Sequence, residues 1–272
     1  MSRESTRKRR RSNQPPPDEN FLAPIGINHT QQRILLIVGV VVAVLASSVG
    51  FTAAVASLGR DVTADQTGAA LGLGKPRPEV YRAWTSPKLF APIADRQADA
   101  EPLTAKEIFG AKTVKNGKIT LRLLDSQLDA DCAAAVWGQG LIGELSKAGC
   151  TQAVRGVFLS SDRRYVAHYT MFNLGTAQAA DSLVNALNVQ YRGNWTQALP
   201  NPRAVFPVDG YSEGSGHAMG HYAGLVWLAR VNGGEPARND DFVALSLAVR
   251  SVEKALYRRV VAASGAGAAE EQ

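Results

Sequence analysis

The longest unbroken pattern in the chain is the stretch from Ile34 to Gly59, where 26 consecutive residues carry no charge and most are Ile, Leu, Val or Ala. Wound as a helix, such a run spans about 39 Å, more than a hydrocarbon core of about 30 Å. A transmembrane helix is therefore predicted over residues 34–57. Further on, the pattern becomes that of a water-soluble domain. Thr104-Ala105-Lys106-Glu107 has the form of a capping box ahead of Ile108 and Phe109. Ile119, Leu121 and Leu123 alternate with Thr120 and Arg122, the period of a half-buried strand that follows an Asn116-Gly117 turn. Trp137, Leu141, Leu145 and Ala148 fall at helical spacing after a candidate cap at Asp129 or Asp131, and Gly149 stands where a left-handed stop belongs.

Residues 151–159 and 164–172 read as two strands joined by Ser160-Ser161-Asp162-Arg163, whose turn chemistry makes them a hairpin. Thr176 caps a helix with Ala177, Ala180, Leu183, Val184 and Leu187 on one face. Ala204–Val208 and Tyr222–Val231 are candidate strands, free to pair with each other. The last helix is capped by Asn239 or Asp240, has the stripe Phe242, Leu245, Val249, Val252, Leu256 and Val260, and places Arg258 and Arg259 toward its negative end.

The predicted fold class is α+β: one N-terminal transmembrane helix, then an exported domain in the order β-α-β-β-α-β, the ferredoxin-like split βαβ unit, with an extra C-terminal helix. The boundaries follow from the changes of pattern. Residues 1–33 form a basic cytoplasmic tail predicted to be disordered, 34–57 the membrane helix, 58–103 an extracytoplasmic stalk rich in Ala, Gly and Pro, 104–264 the exported domain, and 265–272 a frayed end.

Charge fixes the orientation. Residues 1–33 carry seven Lys or Arg against three acids, with Arg3, Arg7, Lys8, Arg9, Arg10 and Arg11 clustered, whereas Arg60 is offset by Asp61 and Asp65. The positive-inside rule puts the tail in the cytoplasm and the C-terminal domain outside, a single-pass arrangement in the cell membrane. Two rival readings bear on this segment. Ala54-Val55-Ala56 and Val44-Leu45-Ala46 resemble signal-peptide cleavage sites, but a 33-residue leader before the apolar run is long for one. The basic run also has the composition of a nucleic-acid or nuclear-targeting patch. From Asp61 onward the charge is only +1, so no nucleic-acid partner is expected, and the tail's position before a membrane span makes topology the simpler cause of its charge.

Cys132 and Cys150 are the two cysteines. An exported domain sits where disulfides persist, yet a continuous helix from 132 to 147 would hold their Cα atoms about 20 Å apart. Gly138, Gly140 and Gly143 weaken that helix and leave room for Cys132 to fold back, so the pairing stays open on sequence alone. Gly210-Tyr211-Ser212-Glu213-Gly214 matches G-x-S-x-G, but no histidine follows His221 to complete a hydrolase triad. Glu213, His217 and His221 lie four apart, as helix-borne metal ligands would, among glycines that disfavour a helix. Ser212, Glu213, His217 and His221 are therefore the candidate residues of an alternative enzyme reading, and no cofactor is expected.

The stretch from Asp131 to Asn188, with four residues between Cys132 and Trp137-Gly138, the joint Gly149-Cys150-Thr151-Gln152-Ala153 and Phe172-Asn173-Leu174 before a helix, resembles uncharacterised single-pass membrane proteins of high-GC actinobacteria. That resemblance implies localisation and lends no activity. The expected function is a membrane-anchored envelope module for binding, sensing or scaffolding, meeting the bilayer through its helix and an envelope protein or a second copy through an exposed sheet face. The alternative is an envelope hydrolase or metal-dependent enzyme.

Overall fold

The computed structural model describes residues 74–270. Among the described residues no helix is long and apolar enough to cross a membrane. The apolar run 34–59 and the basic tail lie outside them.

Seven strands form the main sheet: β1 (Val80–Trp84), β2 (Thr113–Asn116), β3 (Ile119–Asp129), β5 (Gln152–Ser160), β6 (Tyr165–Asn173), β8 (Ser212–Met219) and β9 (Tyr222–Arg230). Their spatial order is β1-β8-β9-β6-β5-β3-β2, with β1 parallel to β8 and every other neighbour antiparallel. A separate two-stranded ribbon joins β4 (Val136–Trp137) to β7 (Trp195–Thr196). The helices are α1 (Ala105–Phe109), α2 (Gln139–Lys147), α3 (Ala177–Gln190), α4 (Phe242–Arg250) and α5 (Lys254–Glu270). The result is a mixed α+β domain with a large sheet and a C-terminal helix.

Alternation along the central strands sorts the core into two layers. Tyr165, Ala167, Tyr169 and Met171 of β6 pack with α1, α4 and α5, while Val166 and Phe172 of the same strand pack with α2 and α3. Burial on both sides explains why β6 and β9 read as nearly continuous apolar runs. Both faces of the central strands are covered, while β1 and β3 toward the two ends of the sheet keep exposed positions.

The caps at Thr104 and Thr176 and the stop at Gly149 fall where the residue chemistry placed them. Thr104 accepts from Glu107 N at 3.1 Å and Thr176 from Ala179 N at 3.2 Å. Gly149 takes φ +64° behind α2, and Cys150 N donates back to Leu145 O. Asp131, rather than Asp129, caps the turn before α2, and Asp241, rather than Asn239 or Asp240, caps α4.

Three expectations need correction. A split βαβ unit sets its third strand between the first two; here β5 lies between β3 and β6. The Cys132–Cys150 disulfide, with Cα atoms 6.3 Å apart, holds the end of β3 beside the start of β5, a juxtaposition that belongs to antiparallel neighbours. The same bond settles the cysteine question: the helix does not start at Cys132 but at Gln139, after a short 3-10 turn (Cys132–Ala135) and β4. Ala204–Val208 is loop, and the partner of β9 is β8. At the two ends, the ordered patches within residues 58–103 include β1 and a 3-10 turn (Lys88–Ile93) that buries Phe90 and Ile93, and α5 extends to Glu270.

Candidate binding groove

The edge strand β1 and helix α4 flank a cavity of about 270 Å³ on the α4 side of the sheet. Strand alternation aims Val80, Arg82 and Trp84 into it from β1, and Glu213, Ser215 and His217 from β8. Helix α4 contributes Val243, Leu247 and Arg250, and Leu228 and Phe242 complete the apolar wall. The parallel register sets Trp84 beside His217, and their rings stack 4.6 Å apart at an interplanar angle of 5°. Trp84 is 47% exposed, Val243 69% and Leu247 50%, so a ring and two aliphatic side chains stand open at one mouth.

Beneath this mouth the polar groups are tied down. Arg250 Nε donates to both oxygens of Glu253 at 2.9 and 3.1 Å, and the Tyr169 hydroxyl donates to Glu253 Oε1 at 3.2 Å. Burial pushes the Glu253 carboxyl above its ordinary range, against the pull of Arg250. His217 Nε2 lies 3.0 Å from Ser215 Oγ. Burial, aided by the positive charge of Arg250, lowers the His217 pKa to about 3, so its ring is neutral near pH 7. Such an imidazole is a weak base, and among the described residues no carboxylate meets its Nδ1. The arrangement favours holding a ligand against an aromatic shelf between Arg82 and Arg250.

The candidate residues read from sequence do not converge. Ser212 opens β8 on the opposite face from His217; its hydroxyl accepts from Trp227 Nε1 at 3.0 Å and donates to Arg77 O at 3.0 Å. It is a fully buried packing residue, not the exposed serine of a nucleophile elbow. The glycines around it have steric causes. A Cβ on Gly214 would lie 2.8 Å from the Trp195 ring, and one on Gly216 would collide with the Tyr81 hydroxyl. Glu213 accepts from the Tyr211 hydroxyl at 2.9 Å.

His221 lies in the β8–β9 turn, where its N–H and its Nδ1 both reach Ile93 O at 2.9 Å. Gly220 takes φ +60° there, and a Cβ on it would press on that same oxygen. Among the described residues no three His, Cys, Asp or Glu side chains gather as metal ligands. His168 is enclosed in β6, accepts from Leu199 N at 3.3 Å, and is held neutral by burial and by the charge of Arg155, with its pKa lowered to about 3.

Arg82, Trp84, Ser215 and Arg250 were not candidates from sequence. The alternation of Val80, Arg82 and Trp84 with Tyr81 and Ala83 was the signal for the first two, in a segment whose prolines suggested a stalk. Compared with protein families, with curated proteins and with solved structures, the chain finds no significant match.

Proposed function

We propose that the protein is a membrane-anchored envelope module that binds a partner outside the cell without catalysis, and that the groove between β1 and α4 is its binding site. The observation that carries this reading is the Trp84–His217 stack, an open aromatic shelf continuous with Val243 and Leu247 at the end of the sheet. Edge strands ordinarily carry protection against pairing. The β2 edge has it in Lys115, with Lys118 in the adjoining turn, whereas β1 presents Val80 and Trp84 with Arg82 as its lone charge. An extended peptide segment added to β1 would gain main-chain hydrogen bonds and lay alternate side chains into the groove. Arg82, which makes no ion pair among the described residues while Arg250 is held by Glu253, favours a segment with an acidic residue. The uncharged run 34–59, the basic tail before it and the disulfide support placement of this domain outside the membrane.

The test has two arms. In spheroplasts of cells carrying the full chain, added protease is expected to cleave beyond residue 100 and to spare the tail; full protection would sink the topology. A photo-crosslinking residue in place of Leu247 is expected to trap a polypeptide adduct that Trp84→Ala abolishes and that a crosslinker at Lys115 never forms.

One observation favours the second reading, an envelope hydrolase: the 3.0 Å contact between Ser215 Oγ and His217 Nε2 has the reach of a nucleophile and base. Turnover of an activated ester by the full chain in neutral detergent, lost in Ser215→Ala and in His217→Ala and retained in His221→Ala, would replace the binding reading with that one.

A further inference from the structure

A second concavity, of about 430 Å³, opens on the other face of the sheet, at the β5–β6 turn. Arg122 of β3, Arg163 of the turn and Arg203 of the loop before β8 all line it, together with Ser161. Leu124 and Leu159 give it an apolar floor, and no carboxylate is among its lining residues. Elsewhere Arg155, Arg164, Arg230, Arg250 and Arg259 each meet an Asp or Glu. Among the described residues the guanidinium groups of Arg122, Arg163 and Arg203 make no ion pair. The nearby Asp162 is occupied within the turn, where it accepts from Ser160 Oγ at 2.6 Å and Arg164 N at 3.1 Å.

The backbone adds an independent observation. Arg163 has φ +58°, and it is the one non-glycine with positive φ among the described residues; the six others are glycines. Its N–H donates to Ser160 O, which makes it the left-handed residue that closes a tight hairpin turn, a place where glycine is the residue of least strain. An arginine there, at a conformational cost, joins Arg122 and Arg203 in lining the concavity.

We infer that this concavity is an anion site for a phosphate ester. Three guanidinium groups exceed the charge of one carboxylate and suit a group that carries about −1.5 to −2 with three acceptor oxygens. Ser161, whose hydroxyl has no partner among the described residues, adds a fourth donor, and the leucine floor accommodates an apolar substituent on the ester. The phosphate has two sources, a free ester or a lipid headgroup.

The experiment is a thermal melt of the full chain in neutral detergent, with inorganic phosphate as the probe and chloride at matched ionic strength as the reference. A phosphate-dependent rise in Tm is expected, since a ligand of the native state stabilises it by mass action. Arg122→Gln and Arg203→Gln are each expected to weaken the apparent phosphate affinity about threefold or more, and about tenfold or more together. Arg163→Gly separates binding from folding: it relieves the left-handed backbone and raises Tm without phosphate, while the phosphate-dependent rise shrinks. Nanodiscs distinguish the sources. If headgroups occupy the site, discs of phosphatidylglycerol raise Tm over phosphatidylcholine discs without added phosphate, and Arg122→Gln removes the difference; if a free ester does, the two discs melt alike and phosphate raises both. No rise over chloride, or an undiminished rise in Arg163→Gly and in the Arg122→Gln, Arg203→Gln pair, overturns the inference.

Discussion

Replacing Cys132 and Cys150 together by alanine tests the link between the fold and the compartment it occupies. The bond spans 18 positions and encloses β4 and all of α2, an element that contributes only Leu141 and Leu145 as fully buried side chains. Closing a loop of that length removes unfolded-state entropy worth about 3 kcal/mol at 25 °C. For a domain of this size each kcal/mol moves Tm by about 2–4 °C, so the double variant is expected to melt about 6–12 °C lower, by circular dichroism of the full chain in detergent. A reducing agent should produce the same fall in the wild type and none in the variant. Amide exchange should quicken first between residues 132 and 148, because that loop loses its tether while the sheet keeps its ladders. Cells quenched in acid and alkylated report on the compartment: both thiols are expected to be blocked in the native chain. Free thiols in that sample, or a variant that melts with the wild type, would refute the argument, and the first result would also refute export, because the bond needs an oxidising environment.

Other perturbations test separate parts of the core. Asp129→Asn removes the charged acceptor of the two Arg155 bonds, at 2.7 and 3.0 Å, inside a nearly closed site, and should cost about 3–5 kcal/mol in urea unfolding; Asp129→Leu combined with Arg155→Met, which removes both charges at once, should recover much of it. Gly156→Ala puts a methyl 2.5 Å from the buried Phe109 ring and should cost about 2 kcal/mol or more, with Phe109→Leu in the same chain restoring part of the loss. His168 has a native pKa near 3 against about 6.5 unfolded, so the unfolded chain binds the extra proton between those values. Stability is then full above about pH 6.5 and falls on acidification toward pH 3, by about 2 kcal/mol between pH 7 and pH 5 from this residue alone. His168→Gln should remove that share of the pH dependence in urea midpoints measured at the two pH values.

Local signals carried most of the helices and strands because the physics that forms them is local. Thr104, Thr176 and Gly149 act within a few residues of their own position, and the stripe from Phe242 to Val260 is buried at every predicted position. The hairpin of β5 and β6 needed only a four-residue turn between two apolar runs. Spatial order failed where it depended on a contact across sequence. Asp129 looked like a helix cap, yet it pairs with Arg155, 26 residues on, and that pair together with the disulfide seats β5 against β3.

The groove was harder to read for the same reason in a stronger form. Trp84 and His217 are 133 residues apart, and nothing near either predicts the other. Each has a bland local explanation, a tryptophan in a proline-rich segment and a histidine among glycines. The glycines themselves carried the information, by speaking against a helix. As a helix, the spacing of Glu213, His217 and His221 suggests a metal site; as a strand, Gly214 and Gly216 face the rings of Trp195 and Tyr81 while Ser215 and His217 face the other way, toward β1 and α4. Alternation of small and functional residues along β8 thus does two things at once. It lets aromatic side chains close one face of the sheet, and it delivers the polar residues of the groove to the other, so a bulkier residue at Gly216 should disturb the α3 side by sterics and the groove only through the shift of β1.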